Sequence, residues 1–265
     1  MAGLFQVIWG KEGGTFSKPE PLKGTDGKNL IIVPDKRGMT DPDTPRICTR
    51  PTAVDYDADG DLDLVVGNFK GTFYWFAGEG KGKFSPKSTR IDCEGKALKN
   101  QSYHSDPFFV DWDGDGDLDL LSGGGDGEVA WSENSAGKGK PMALKQFKEL
   151  IKGTKVRERW FDEKAVVGDS SRVWADDLNG DGKLDLIVGD RMTINSLVEG
   201  STKQETKVKL EVWKKEISDL YKNMGKAEGE KERDELNKKT QALFDKRDKI
   251  IKEDMTGFVW VYYQK

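Results

Sequence analysis

One short pattern, written three times, constrains this chain more than any other feature in it. The pattern is D-x-[DN]-x-D-G-x-L-D-L, followed by apolar residues and a glycine. It stands at 55-DYDADGDLDLVVG-67, 111-DWDGDGDLDLLSG-123 and 177-DLNGDGKLDLIVG-189. Repetition at such intervals marks a fold built by stacking similar units, none of which can bury its apolar face alone.

The first nine residues of each copy explain the concentration of charge. Oxygen ligands at positions 1, 3, 5 and 9, with a backbone carbonyl at position 7, suit a hard cation of calcium size, and glycine at position 6 allows the sharp turn. The first loop then offers Asp55, Asp57, Asp59, the Asp61 carbonyl and Asp63, and the second offers Asp111, Asp113, Asp115, the Asp117 carbonyl and Asp119. The third offers Asp177, Asn179, Asp181, the Lys183 carbonyl and Asp185. About three Ca2+ ions per chain are expected, with the third loop weakest because it has one carboxylate fewer and carries a lysine. These are not helix-loop-helix calcium loops, since position 12 is Val66, Ser122 or Val188 instead of glutamate. The following LDLVV, LDLLS and LDLIV read as strands.

A second element recurs after a short turn, as 71-GTFYWFAG-78 and 127-GEVAWSEN-134, with 3-GLFQVIWG-10 and 257-GFVWVYYQ-264 alike. One period is therefore an inner strand, the acidic loop, a second strand, a tight turn, an aromatic third strand, a Gly/Lys turn and a fourth strand. The expected fold is all-β, a β-propeller-like array of four-stranded antiparallel blades. About three blade periods are present, fewer than closed propellers usually need, so a homo-oligomer completing the ring is one expectation.

On D-x-D-x-D-G-x-L-D at 55–63 and 111–119 and D-x-N-x-D-G-x-L-D at 177–185, the chain resembles the FG-GAP/VCBS repeat family, found in integrin-type head domains and many secreted microbial proteins. Pro51 and Pro107 match the family's proline before the loop, while Val173 departs from it. The resemblance implies calcium-binding loops that support a propeller, with ligands taken on the opposite face.

Between Gly189 and Gly257 the otherwise minimal turn holds a long, highly charged insertion. Val212, Trp213, Ile217, Leu220, Tyr221 and Met224 recur at helical spacing, and Leu236, Leu243, Phe244, Ile250 and Ile251 form the stripe of a second helix. The expected organisation is residues 1–190 plus 257–265 as blades, with 191–256 as an inserted α-helical hairpin of coiled-coil character. Whether 207-KVKLEVW-213 begins as strand stays open, since it also alternates.

Antiparallel order puts the acidic loops and Gly/Lys turns at one end of the sheets. The insertion and the connections 36–51, 92–107 and 159–172 fall at the other. That second end is the expected ligand face, with Arg46, Arg50, Tyr103, His104, Asp106, Trp160, Asp162 and Arg172 as candidates. The leading expectation is a calcium-stabilised binding or scaffold module for a protein or glycan partner. A polysaccharide-active lyase or glycosidase using Asp106 and Asp162 is the second reading, and a self-assembling structural piece the third.

Composition narrows the classes further. A formal charge of -4 with interspersed acidic and basic residues gives no nucleic-acid footprint, and a single histidine argues against a zinc site or a histidine-dependent triad. Two cysteines without CxxC spacing read as buried free thiols, with pairing between Cys48 and Cys93 left open. The start MAGLFQVIWG shows neither a signal peptide nor a membrane span; the expected setting is extracellular, periplasmic or cell-surface if a signal was removed, and is otherwise open.

Overall fold

The structure is a computed structural model and describes residues 3–33, 46–227 and 229–265. The expected connection 36–51 therefore lies largely outside the described residues. The fold is mostly β, and none of its sheets closes on itself.

The first sheet has strands β1 (Arg50–Val54), β2 (Asp63–Gly67), β3 (Phe73–Gly78) and β4 (Phe84–Arg90) in sequence order, all antiparallel. The second repeats that order with β5 (Asp106–Val110), β6 (Asp119–Gly123), β7 (Val129–Ser132) and β8 (Lys148–Ile151). Then come β9 (Glu158–Trp160), β10 (Asp169–Asp176), the long β11 (Asp185–Leu197), helices α1 (Lys203–Met224) and α2 (Glu230–Arg247), and β12 (Ile251–Thr256) and β13 (Val259–Tyr262).

The chain divides into two compact units. The larger comprises residues 3–33, 46–156, 166–191 and 257–265 and contains the first two sheets plus a third of order β10, first half of β11, β13. That third sheet has three strands within this unit. Alternation along each strand sends one set of side chains to each neighbouring sheet. Val54, Val65, Phe73, Ile91, Leu98 and Leu120 fill the space between sheets one and two. Leu121, Val129, Val173, Leu186 and Val188, backed by Trp131, Trp260 and Tyr262, fill that between sheets two and three. The other face of sheet one is covered by Phe5, Leu22, Leu30 and Ile32, which pack on Val66, Tyr74, Phe76 and Phe84. Each such large side chain taken from water contributes on the order of 1.5–3 kcal/mol.

Glycine sets how closely the sheets approach. A Cβ on Gly67 would lie 2.2 Å from the Ser105 carbonyl oxygen, and one on Gly123 would lie 2.2 Å from that of Ser171. The same two serines clip the seam: the Ser105 hydroxyl accepts from the Asn68 N–H and donates to the Thr72 carbonyl, and the Ser171 hydroxyl accepts from Gly124 and donates to Glu128. The residue two positions before Arg50, Asp106 and Arg172 is left-handed in every copy, with φ of 53° at Cys48, 60° at His104 and 55° at Ser170. The repeat thus extends to backbone strain.

The smaller unit comprises residues 157–165 and 192–256, apart from Glu228. The second half of β11 pairs antiparallel with β12 and parallel with β9, the one departure from antiparallel pairing among the described strands. The whole of 207–213 is helical. The Thr202 hydroxyl accepts from the Glu205 N–H and the Glu205 carboxylate accepts back from the Thr202 N–H, a capping box that fixes the start of α1.

Leu210, Trp213, Ile217 and Leu220 pack with Trp160, Leu236, Ile250 and Ile251. The Trp213 indole donates to the Leu243 carbonyl at 2.7 Å under the Arg247 guanidinium. Two sequence expectations are corrected here. Val212 and Tyr221 are 52% and 50% exposed, because the stripe through Leu210 runs at three- and four-residue steps and passes beside them. Ile250 and Ile251 lie beyond α2, in a turn and at the start of β12.

Candidate functional site

The three acidic loops close in the same way. Asp55 accepts from the Asp59 and Gly60 N–H groups, Asp111 from Gly114 and Gly116, and Asp177 from Gly180, Asp181 and Gly182. Position 3 accepts from position 5, and position 5 from position 7, in each copy: Asp57, Asp113 and Asn179, then Asp59, Asp115 and Asp181. The glycine at position 6 is left-handed in all three, with φ of 93°, 92° and 84° at Gly60, Gly116 and Gly182.

Position 9 has a second job that sequence reasoning missed. Asp63, Asp119 and Asp185 are buried, and each accepts from the backbone on both sides. One oxygen takes the N–H of Tyr56, Trp112 or Leu178 inside the loop. The other takes the N–H of Gly78, Asn134 or Gln264 at the end of the third strand. This carboxylate staples loop to sheet through backbone N–H groups on both sides. Its partner lies 15 residues away in the first two copies, beyond the reach of a local motif.

The fit to a cation differs among the loops. Carboxylate oxygens of Asp55, Asp57 and Asp59 all lie within 4.8 Å of one another, as do those of Asp111, Asp113 and Asp115. Burial, then the neighbouring Asp63 and Asp59, pushes the Asp57 carboxyl above its ordinary range. Asp117 is pushed up mainly by burial, opposed by its bond from Gly137 and reinforced by Asp115, Asp113 and Asp111. One Asp117 oxygen is buried without a hydrogen-bond partner among the described residues. Hard oxygen donors that repel one another suit a divalent ion of calcium type.

The third loop is eased without one. The Asn179 amide donates to Asp181 at 3.2 Å, and backbone N–H groups, that of Gly182 first, hold Asp177 below the usual carboxylate range.

The residues expected on the ligand face separate into two groups. In the larger unit, Arg50 and Asp106 begin strands β1 and β5, and Arg172 holds the matching register position within β10, opposite Gly189 as Arg50 is opposite Gly67 and Asp106 opposite Gly123. Arg50 Nε stands 3.9 Å from Asp106 Oδ1, with side chains 13% and 16% exposed. Burial lowers the Arg50 pKa and raises that of Asp106, against the opposing pull of the pair. The Tyr103 and His104 rings pack at 4.7 Å, His104 Nδ1 lies 3.4 Å from the Ser170 hydroxyl, and Arg46 Nε donates to the Ile32 carbonyl.

In the smaller unit, Trp160 is buried and Asp162 accepts from Lys203 at 2.7 Å, which holds its carboxyl below the ordinary range. A carboxylate fixed this way is poorly placed to act as a general acid. Both cysteines are free; Cys93 is buried as expected, but Cys48 is exposed because it precedes the first strand in the left-handed turn.

Comparison with known proteins agrees with the repeat. The family model described as FG-GAP-like repeat matches residues 55–122 and 111–188. No curated protein and no solved structure matches the chain. Among the described residues, no helix is long and apolar enough to cross a membrane.

Proposed function

This chain belongs to the FG-GAP-like repeat family, and on that premise we propose that it is a non-catalytic binding module whose sheets, arranged as propeller-like blades, are stapled by calcium and present a ligand surface. The observation that carries the reading is the loop scaffold itself, drawn three times with the same backbone hydrogen bonds and twice with a converging carboxylate triad. Asp55, Asp57 and Asp59 would hold one ion, with the Asp61 carbonyl and Asp63 completing the set. Asp111, Asp113 and Asp115, with the Asp117 carbonyl and Asp119, would hold another. Asp177, Asn179, Asp181, the Lys183 carbonyl and Asp185 form the weakest site. The ion supplies charge neutralisation and binds only the folded loop, so it stabilises the fold.

A carboxylate set consumed in this way leaves nothing to activate a substrate. Binding belongs to the other end of the sheets, where Arg50, Asp106 and Arg172 lie, and the partner is a protein or a glycan. The reading goes with a calcium-rich compartment outside the cytosol, where loops of even low affinity stay loaded. The test is a calcium titration followed by melting and by binding to glycan and protein arrays. Calcium raises the melting temperature, and the loaded protein retains at least one partner on the arrays. A chelator that changes neither melting nor binding would overturn the reading.

A further inference from the structure

The three sheets differ at one repeated position. Gly67 and Gly123 each press on the next sheet, but around Gly189 a Cβ would meet nothing within 4 Å. The neighbours agree: Val65 and Leu121 are fully buried while Ile187 is half-buried, and Phe73 and Val129 are 0% exposed while Val259 is 72% exposed. Among the described residues nothing covers this apolar face of sheet three, and Trp174 is 55% exposed on its edge strand β10. Two residues before Trp174, on the same face, is the exposed Arg172.

Along the inner strands two rows of matching repeat positions run from sheet to sheet and end at this face as a two-layer wall. One layer is Arg50, Asp106 and Arg172. The other includes Phe108 and Trp174, whose rings stand 4.7 Å apart. The charged layer holds two guanidiniums against one carboxylate, so it is positive in excess, and Arg50 Nη1 is buried with no hydrogen-bond partner among the described residues. A second copy docked head to tail is not the occupant that fits. The matching face of sheet one is already covered by Phe5, Leu22, Leu30 and Ile32, and Gly3 lies against Arg46.

We propose that this wall binds a carboxylated sugar chain, with a sugar ring stacked on the Trp174 indole and its carboxylate taken by the Arg172 guanidinium. The inference rests on the binding-module reading and names its ligand class. A flat exposed indole offers an apolar face to a ring whose edge is polar, and a guanidinium fork matches a carboxylate in two hydrogen bonds. An acidic peptide would use Arg172 but would have no need of the Trp174 face.

The experiment is titration of calcium-loaded full chain, after removal of free calcium, with a galacturonate tetramer, a neutral galactose tetramer and an aspartate tetrapeptide. It is followed by calorimetry and tryptophan fluorescence. The galacturonate tetramer binds at least about tenfold more tightly than the neutral one, the loss expected when a charge-assisted pair is missing. Trp174→Ala and Arg172→Ala each weaken it by roughly tenfold or more, while Arg172→Lys keeps part of the affinity. Both side chains are exposed, and unchanged melting shows that the variants fold.

Equal binding of the neutral sugar, indifference to Trp174→Ala, peptide binding as tight as the sugar's, self-association that buries Trp174, or no saturation at millimolar sugar would each overturn the proposal. If the arrays return another partner while the galacturonate fails, the binding-module reading stands and this inference falls. Loss of every calcium effect strikes that reading separately.

Discussion

Alanine at Gly67, Gly123 and Gly189 tests how the sheets stack, because one substitution at one repeat position meets three surroundings. At Gly67 and Gly123 the new methyl would sit 2.2 Å from a backbone carbonyl oxygen of the next sheet. That is roughly an ångström inside ordinary contact, against an atom no rotamer can move. The seam must open, and it carries the Asn68-to-Ser105 and Gly124-to-Ser171 bonds, both 2.8 Å. Overpacking of this kind costs about 1–3 kcal/mol, and these two positions belong at the upper end. For a chain of this size about 3 kcal/mol lowers the melting temperature by roughly 6–12 °C.

Gly189→Ala meets open space and relieves the entropy of a glycine in a strand, so it changes stability by less than about 1 kcal/mol, in the stabilising direction. The assay is thermal and urea unfolding of the three variants under the same calcium concentration. A Gly189→Ala as damaging as Gly123→Ala would show that sheet three is covered in solution. A harmless Gly123→Ala would refute the seam itself.

Other outcomes follow from single side chains. In chelator, Asp57→Asn raises the melting temperature at neutral pH, because the folded state holds this carboxyl above its ordinary range and ionisation costs stability there. That cost is absent below the unfolded pKa and appears as pH rises through the folded one. The gain from Asn therefore shrinks as pH falls, and saturating calcium reverses its sign. Thr202→Ala removes the capping box of α1 and costs about 1 kcal/mol, read as faster amide exchange in the first turn of that helix. Trp213→Ala, which empties a buried site and frees the Leu243 carbonyl, costs about 3–5 kcal/mol and lowers helical circular dichroism. A thiol reagent modifies Cys48 alone in the native protein and both cysteines in denaturant.

What could be read in the sequence was what a few adjacent residues decide. The aspartates and Gly60, Gly116 and Gly182 make their turns from their own backbone bonds, so the loops are legible from any one copy and secure from three. The staple role of Asp63 depends on Gly78 N–H, which only the folded sheet brings near. Strand β11 ran past its expected end, because pairing with β12 and β9 extends it through Leu197. Periodicity found helix α1 and the buried Trp213, Ile217 and Leu220, but took Val212 in place of Leu210, since both are apolar and only packing chooses between them. Trp174 went unnoticed because an aromatic residue in a strand ordinarily reads as core; here no sheet among the described residues packs on the outer face, and Trp174 is 55% exposed.

Metal content tests the central claim most directly. Native mass spectrometry of the intact chain in calcium, with and without chelator, is expected to show ions held by the first two loops, with a third lost at lower chelator concentration. The melting temperature should fall as they leave. A folded chain that carries no divalent ion, and melts at the same temperature in calcium and in chelator, would contradict the account.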